Sequence, residues 1–235
     1  MTYRDGTEIP QVTDATEWSN LTTGAWCYYD NDPTKGKLYN WYAVAGIHDN
    51  DPNTSNKVFA PDGWRVPTDA DWRTFENYLT SNGYNYDGYT TGNKIAKAMA
   101  STTGWNSSVE VGAIGNNQSL NNSSGFNVFP EGFRNFNGSF FIESDVAIFW
   151  NPAQNSTSDA WSQILGNDGY YLDGGINYAK QEGFSVRFVR DASSIGAYGI
   201  LLNGNVSAEN NQIKNVADPT DAQDVTTKSY VDNSV

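Results

Sequence analysis

Aromatic side chains crowd the first 190 residues of this chain and then nearly stop. All 8 Trp and all 11 Phe precede residue 191, and the segment that follows contains neither type. Large rings bury much area per residue, so they can build a core in a chain with few aliphatic runs. We therefore predict one large domain over residues 1–191 and a separate segment over residues 192–235.

The remaining composition favours loops and short strands over long helices. Charged residues make up only 17% of the chain, and Gly alone occupies 22 positions. Asn, Ser and Thr fill much of the rest, and these residues prefer turns and caps to helix interiors. The predicted fold class is α+β: a loop-rich domain with short antiparallel strands and two helices.

The net charge of −13 limits the partners of the chain. A phosphate backbone would be repelled, so we expect no nucleic-acid partner. No apolar run approaches the ~20 residues that a membrane helix needs, so we expect no membrane insertion. Residues 1–6 lack the apolar stretch of a signal peptide. We expect that the chain was cut from a longer protein or leaves its cell by another route, such as lysis.

The chain has few residues that could act as a nucleophile or bind a metal ion. The chain has one Cys, Cys27, and one His, His48, so a disulfide framework is excluded and a zinc site has too few ligands. Cys27 stands among aromatic residues, which favours a buried structural thiol. A glycosidase needs two carboxylates flanking a cleft, and no such pair stands out. We expect neither catalysis nor a cofactor.

One segment weakly resembles a calcium-binding loop. Residues 30–36 read DNDPTKG, but Gly36 comes one position late and Trp41 stands where such a loop ends in Glu. We expect a solvated turn here, with a calcium site as the alternative.

Two helices and one hairpin are signalled locally. Thr68 precedes an acid by three residues, as in a capping box, apolar residues follow at helical spacing, and Asn-Gly at residues 82–83 ends the helix. A second, shorter helix is predicted over residues 93–100. The Asn-Gly pair at residues 137–138 predicts a β-hairpin.

The last residues of the predicted domain and those of the final segment predict different secondary structures. Residues 184–189 alternate apolar and polar side chains, which predicts a half-buried strand that closes the domain near its start. In the final segment, Asp218 and Pro219 begin a helix whose apolar stripe is too weak to bury alone. Copies of this helix could bury the stripe together, so we interpret residues 192–235 as an oligomerisation element.

An ordered series of motifs resembles one known family. It comprises GKLYNWYAV at residues 36–44, APDGWRVPTDADW at residues 60–72, PEGFR at residues 130–134 and GFSVRFVRD at residues 183–191. Residues 1–191 thus resemble the Fibrobacter succinogenes-type major paralogous domain, which is abundant in Bacteroidetes and their phages. The resemblance implies a C-type-lectin-like fold, related to the variable proteins of diversity-generating retroelements.

Departures from the family pattern limit what the resemblance implies. Residues 150–153 read WNPA where the family often has Trp-Ser-Ser-Thr, which puts the local turn in doubt. Phe188 stands where the family often has Cys, so a partnership with Cys27 is lost. The calcium-lectin signatures Glu-Pro-Asn and Trp-Asn-Asp are missing. Calcium-dependent sugar binding therefore does not carry over.

The end of the chain resembles a second known element. Residues 211–224 read NQIKNVADPTDAQD, and TKSYVD follows at residues 227–232. This series resembles a repeat of phage tail-fibre and collar proteins, which are usually trimers. It implies a homotrimer and a place in a virion.

The stretch between residues 135 and 179 is the candidate ligand surface. It holds no Lys or Arg, five acids and nine aromatic residues, and in the related retroelement proteins this region varies. Residues 168–178 are Gly-rich without clean periodicity, which predicts an exposed loop. Tyr and Phe offer rigid contact area, and Tyr, Asp and Asn supply hydrogen bonds. The predicted ligand-binding residues are Phe136, Phe140, Asp145, Ala147, Phe149, Asp159, Ser162, Ile164, Asp168, Tyr170, Tyr171, Asp173, Asn177 and Tyr178.

Ordinary packing is the alternative for these aromatic residues. It is as well supported as ligand contact for Phe136, Phe140 and Phe149, and less well supported for the three tyrosines. We expect five tryptophans to belong to the core: Trp41, Trp64, Trp72, Trp150 and Trp161.

These features favour one function and leave three alternatives. The leading hypothesis is a receptor-binding module of a bacteriophage tail fibre, located in the virion, whose partner is a bacterial surface glycan or protein. The alternatives are a cell-surface adhesin of the same fold, a purely structural fibre segment and an enzyme. Formylglycine-generating enzymes share a related fold, but their oxidative chemistry uses a pair of cysteines, which this chain lacks.

Overall fold

The computed structural model describes residues 1–190, so the predicted oligomerisation element over residues 192–235 lies outside the described residues. The described part is mixed α/β, with few helices and short antiparallel strands, which confirms the coarse fold class. The helices are α1 (Ala15–Ser19), α2 (Trp41–Val44), α3 (Asp69–Ser81) and α4 (Ala96–Met99). The strands are β1 (Trp26–Tyr28), β2 (Lys37–Tyr39), β3 (Trp64–Arg65), β4 (Phe133–Arg134), β5 (Phe140–Phe141), β6 (Val146–Gln154), β7 (Asp159–Gly166), β8 (Asp173–Ala179) and β9 (Val189–Arg190).

The longest helix, α3, begins and ends where its local signals predict. The Thr68 side chain accepts a hydrogen bond from the Asp71 backbone N–H at 3.3 Å, and the Asp71 carboxylate accepts one from the Thr68 N–H at 2.8 Å. This reciprocal pair is a capping box. Arg65 also pairs with Asp71, which ties β3 to the start of the helix.

The other helices depart from the prediction of two. Helix α4 covers only Ala96–Met99, because Ala100 is extended and bridges to Val128. The Asn93 side chain is used to hold another loop. Helices α1 and α2 each span about one turn, too short for an apolar periodicity to be seen in the sequence.

The closing segment returns to early parts of the chain, as predicted, but in separate pieces. Phe184 bridges to Tyr39, Ser185 bridges to Phe149 of β6, and β9 pairs with β3. Only Val189–Arg190 therefore forms a regular strand, since the segment changes partner after nearly every residue. The predicted hairpin is confirmed, because β4 and β5 pair antiparallel around residues 137–138.

Strands β6, β7 and β8 form a three-stranded antiparallel sheet at the centre of the domain. Ala147 and Phe149 pack into one hydrophobic cluster, whereas Ile148 and Trp150 pack into another. Strand β6 is therefore buried on both faces, with its rings distributed between two cores.

Two buried polar groups lie away from that sheet. Arg134 is fully buried, and its guanidinium donates to the carbonyls of Val12, Thr13 and Gly138 at 2.7, 2.9 and 3.0 Å. Cys27 is also fully buried, which raises the pKa of its thiol to about 11. The expectation of a buried structural thiol is thus confirmed.

Glu182 gives the fold a pH-dependent stability. The side chain is 4% exposed, and its Oε2 atom has no hydrogen-bond partner among the described residues. Burial raises the pKa of Glu182 to about 7 from its usual 4.5, although a hydrogen bond from the Phe136 backbone opposes the shift. The folded state therefore favours the protonated acid. The resulting stability is fully present below about pH 4.5 and is lost as the pH rises through 7.

We expect Glu182→Gln to stabilise the protein at pH 8 by up to about 3 kcal/mol relative to wild type, because one pKa unit corresponds to about 1.4 kcal/mol. The two proteins should have equal stability near pH 4. Urea unfolding between pH 4 and pH 8 measures this difference, with the exposed Glu110→Gln variant as control. A constant difference across this range would contradict the prediction.

Candidate functional site

An open groove of about 710 Å³ lies between helix α3 and the start of strand β8. This volume falls within the ~300–1,000 Å³ typical of small-molecule sites. One wall is the polar face of α3, and the other is formed by residues 170–175. Its lining includes Asp69, Arg73, Glu76, Gln163, Tyr170, Tyr171 and Asp173.

The loop that carries Tyr170 and Tyr171 is held by a side-chain clamp. The Asn93 amide donates to the Leu172 carbonyl at 2.8 Å and accepts from the Leu172 N–H at 3.1 Å. The Ala96 N–H also donates to the Tyr170 carbonyl at 3.2 Å. Both wall tyrosines are therefore attached through their backbone to the start of α4.

A second loop brings a third tyrosine to the same place. Buried Asn85 donates to the carbonyl of Tyr89 at 2.7 Å and accepts from the Lys94 N–H at 2.9 Å, which organises the loop over residues 85–94. Tyr86 on this loop lies 5.8 Å from Tyr170, measured between ring centroids.

We call Tyr86, Tyr170 and Tyr171 the tyrosine cluster. The rings of Tyr170 and Tyr171 lie 5.4 Å apart and nearly perpendicular, at 79°. The three residues are 38%, 41% and 44% exposed. These side chains thus reach solvent while the backbone of Tyr170 and Tyr171 is held in place.

The groove carries more negative than positive charge. Among residues 1–190, Arg73 is the only cation on its lining, and its Nε pairs with an Asp69 carboxylate oxygen at 2.7 Å. Asp173 and Glu76 add two further carboxyl groups. Partial burial raises the pKa of Glu76, and Arg73 partly opposes that shift.

The groove floor contains a polar side chain without a partner. Gln163 in β7 lines the groove and is 3% exposed, and its amide makes no side-chain hydrogen bond with residues 1–190. Across the sheet, Gly174 leaves room for this amide, because a Cβ at residue 174 would lie 2.6 Å from Gln163 Oε1. The indole Nε1 of Trp72, another lining residue, is also buried without a partner there.

The structure brings together only some of the predicted ligand-binding residues. Tyr170, Tyr171 and Asp173 line the groove. Asp168 and Asn177 are exposed but do not line it. Ile164 and Tyr178 are half-buried against the core, and the Tyr178 ring contacts Phe184 at 5.1 Å.

Three predicted residues lie in the interior and cannot belong to a surface. Ala147 and Phe149 are buried because β6 has a hydrophobic cluster on each face. Ser162 is fully buried, and its hydroxyl donates to the Ile176 carbonyl at 3.0 Å, where β7 and β8 shift register.

The remaining four predicted residues are scattered. Phe136 is exposed at the tip of the β4–β5 hairpin. Phe140 packs against Tyr29, with ring centroids 5.3 Å apart. Asp145 accepts a hydrogen bond from the Asn106 side chain at 2.8 Å. Asp159 accepts hydrogen bonds from neighbouring serines, which lower its pKa.

Residues 168–178 are not one loop. Residues from Asp173 onward form strand β8, paired with β7. The alternation that would mark a strand is broken by a register shift opposite residues 162–163, and Gly175 there has a φ of +79°. This bulge explains why the sequence pattern shows no clean period.

Three of the five tryptophans expected in the core are buried: Trp41, Trp72 and Trp150. Trp161 is only partly buried. Trp64 is 39% exposed, with the Arg190 guanidinium 5.6 Å from its ring centroid. Trp64 lies in a two-residue strand paired only with β9, which explains its exposure.

Sequence reasoning missed the residues that α3 and the loop over residues 85–94 contribute. Asp69, Arg73 and Glu76 follow one another at spacings of four and three, which marks one helix face. That pattern shows that the face is polar, but not which loop lies opposite. Tyr86 had no local signal.

The weak calcium-loop segment forms a turn held by its own side chains. Asp32 accepts hydrogen bonds from the Thr34 N–H and hydroxyl at 2.9 and 2.8 Å. Within residues 1–190, no group of three or more His, Cys, Asp or Glu side chains is arranged to hold a metal ion. Over the same residues, no helix combines the length and apolarity needed to span a bilayer.

The described fold is a mixed α/β domain with a ring-rich core and an open groove on one side. The chain belongs to the Fibrobacter succinogenes major domain family, whose model matches residues 1–190. The family resemblance drawn from the ordered motifs is thereby confirmed. No curated protein and no solved structure matches the chain.

Proposed function

We propose that this domain is the receptor-binding module of a bacteriophage tail fibre, and that it attaches the virion to a glycan or protein on a bacterial surface. The main support for this proposal is the tyrosine cluster at the rim of the groove. Its rings are exposed, in mutual contact and mounted on backbone that hydrogen bonds hold. Rigid exposed tyrosines lose little entropy on binding, so they are effective contact residues.

The proposed fold is C-type-lectin-like. Its support is the closing segment, which returns to β2 and β3 near the start of the chain, together with the loops over residues 85–94 and 167–172 that present the tyrosine cluster. The proposed assembly is a homotrimer formed through residues 192–235, which rests on the resemblance of that segment to tail-fibre repeats.

Binding suits the chemistry of this groove better than catalysis does. Cys27 is buried with a raised pKa, so its thiol is a poor nucleophile. His48 pairs with Asp49 and does not line the groove. Tyrosines, amides and carboxylates form the groove, and these are the side chains of recognition surfaces.

The proposal predicts that Tyr170→Ser/Tyr171→Ser weakens attachment to host cells at least about tenfold, because central aromatic contacts commonly contribute ~2 kcal/mol or more. Binding of fluorescently labelled full-length chain to a panel of Bacteroidetes strains measures this effect by flow cytometry. Tyr178 is left intact because its ring packs against the core.

The matched control is Tyr78→Ser. Tyr78 is exposed on α3 and does not line the groove. It should bind as wild type does, and all variants should show the same unfolding midpoint within a few degrees. Undiminished attachment of the double variant would remove the tyrosine cluster from the receptor site. Binding of wild type to no strain would favour a structural role in the fibre.

A further inference from the structure

The floor of the groove offers a side-chain amide, that of Gln163, to a polar ligand. Gln163 is 3% exposed and lines the groove, and its amide makes no side-chain hydrogen bond with the described residues. An amide offers two donors and an acceptor, so groups that both donate and accept, such as neighbouring hydroxyls, suit it best.

The backbone opposite keeps this amide reachable. Gly174 pairs with Gln163 across the sheet, and any side chain there would meet the amide at 2.6 Å. The nearest atoms are the end of a flexible side chain, so a methyl group at residue 174 would displace the amide rather than the backbone. The absence of a side chain at residue 174 therefore shapes the groove floor.

The rim and charge of the groove narrow the class of ligand. Tyr170 and Tyr171 place partly exposed aromatic rings at one wall, and aromatic rings stack well on the C–H faces of sugar rings. The carboxylates of Asp173 and Glu76 accept hydrogen bonds from hydroxyls. Among the described residues, the lining carries three carboxyl groups, those of Asp69, Glu76 and Asp173, and one cation, Arg73, so its net negative charge repels a negatively charged ligand.

We propose that this groove binds a saccharide without negative charge, that the tyrosines stack on its rings and that the Gln163 amide pairs with its hydroxyls. This inference rests on the proposed receptor-binding function and names the ligand class of that site. It requires no metal ion, since the contacts come from side chains alone.

The test is a titration of the ¹⁵N-labelled full-length chain followed by NMR. The probes are uncharged tetrasaccharides of glucose, galactose and mannose, the cationic tetrasaccharide of glucosamine, and the anionic tetragalacturonic acid. At least one uncharged or cationic probe should shift the signals of the Gln163 side-chain amide and the Trp72 indole N–H. The anionic probe should bind at least about tenfold more weakly.

Two variants test directly whether the Gln163 amide contributes to saccharide binding. Gln163→Leu should weaken saccharide binding about tenfold while leaving stability unchanged or increased, because the amide it removes has no partner to lose. Gly174→Ala should weaken binding similarly by displacing the amide. Gln11→Leu, on the exposed surface away from the groove, is the control and should bind as wild type does.

The outcomes separate this inference from the proposed function. If no uncharged or cationic probe binds, if the anionic probe binds equally well, or if Gln163→Leu binds as wild type does, the saccharide inference fails. If host attachment still depends on Tyr170 and Tyr171 in any of these cases, the receptor-binding proposal stands; the receptor is then a protein where no saccharide probe binds, and a saccharide recognised in another way where one does. If attachment is also independent of these tyrosines, both proposals fail together.

Discussion

Replacing Arg134 by methionine is expected to destabilise the domain by about 3–5 kcal/mol, a large part of the ~5–15 kcal/mol that holds a typical domain folded. The guanidinium is fully buried and donates to three backbone carbonyls. It also lies over the rings of Trp18 and Phe140, at 4.3 and 5.0 Å from their centroids. Removing it leaves the buried carbonyls of Val12 and Gly138 unpaired, and each costs about 1–3 kcal/mol, whereas the Thr13 carbonyl still accepts from the Asn31 side chain at 3.3 Å.

The contacts of Arg134 join distant parts of the chain, so the loss should be global. Val12 and Thr13 belong to the N-terminal segment, whereas Gly138 lies in the β4–β5 hairpin. Urea unfolding followed by Trp fluorescence should show a lower midpoint and a single transition. Arg134→Lys should also be destabilised, because one ammonium group cannot reproduce the planar fork.

The exposed Arg73→Met variant is the control for this experiment. Its side chain is 74% exposed, so its stability should stay within about 0.5 kcal/mol of wild type. If Arg134→Met were as stable as this control, the guanidinium would not hold the N-terminal segment to the hairpin.

Replacing Trp150 by alanine should cost about 3–5 kcal/mol through the cavity it leaves in the core. The side chain is fully buried in β6, and its ring centroid lies 4.3 Å from that of Phe184. Its indole N–H donates to the Tyr39 carbonyl at 2.8 Å. One side chain thus joins the central sheet, the closing segment and β2.

Two further variants are compared with Trp150→Ala: one removes the indole hydrogen bond but keeps a ring, and the other removes an exposed tryptophan. Trp150→Phe keeps a ring but removes one of the two hydrogen bonds to the Tyr39 carbonyl, which still accepts from the Phe184 N–H at 3.0 Å, so the lost bond should cost about 0.5–1.5 kcal/mol. Trp64→Ala removes a tryptophan that is 39% exposed and should cost less than Trp150→Ala. Thermal and urea unfolding of the three variants gives the ranking, and equal losses at Trp64 and Trp150 would contradict the central role of Trp150.

Local sequence signals predicted the elements whose causes are local. The capping box at Thr68 and Asp71 and the Asn-Gly turn at residues 137–138 depend on side chains within a few residues of one another. The closing segment was predicted to return to the start of the chain, but its division among several partners was not. Such a division depends on which distant backbone lies beside each residue.

Only part of the candidate site was predicted from the sequence, and the wrong predictions have one common cause. Exposure along residues 135–179 was inferred from residue type alone. Phe149 is aromatic and lies in the predicted stretch, yet β6 is covered on both faces. Tyr170 and Tyr171 are exposed because their loop is clamped by Asn93, far away in the chain.

The sequence by itself determined the family, the coarse fold class, the main helix, the hairpin and the buried state of Cys27. Each depends on an ordered motif series, on composition or on contacts within a few residues. Only the tertiary structure decided the groove, because its walls come from α3 and from residues 170–175, about 100 positions apart. Packing across the whole core decides which loop lies opposite the polar face of α3, and no local sequence pattern predicts this.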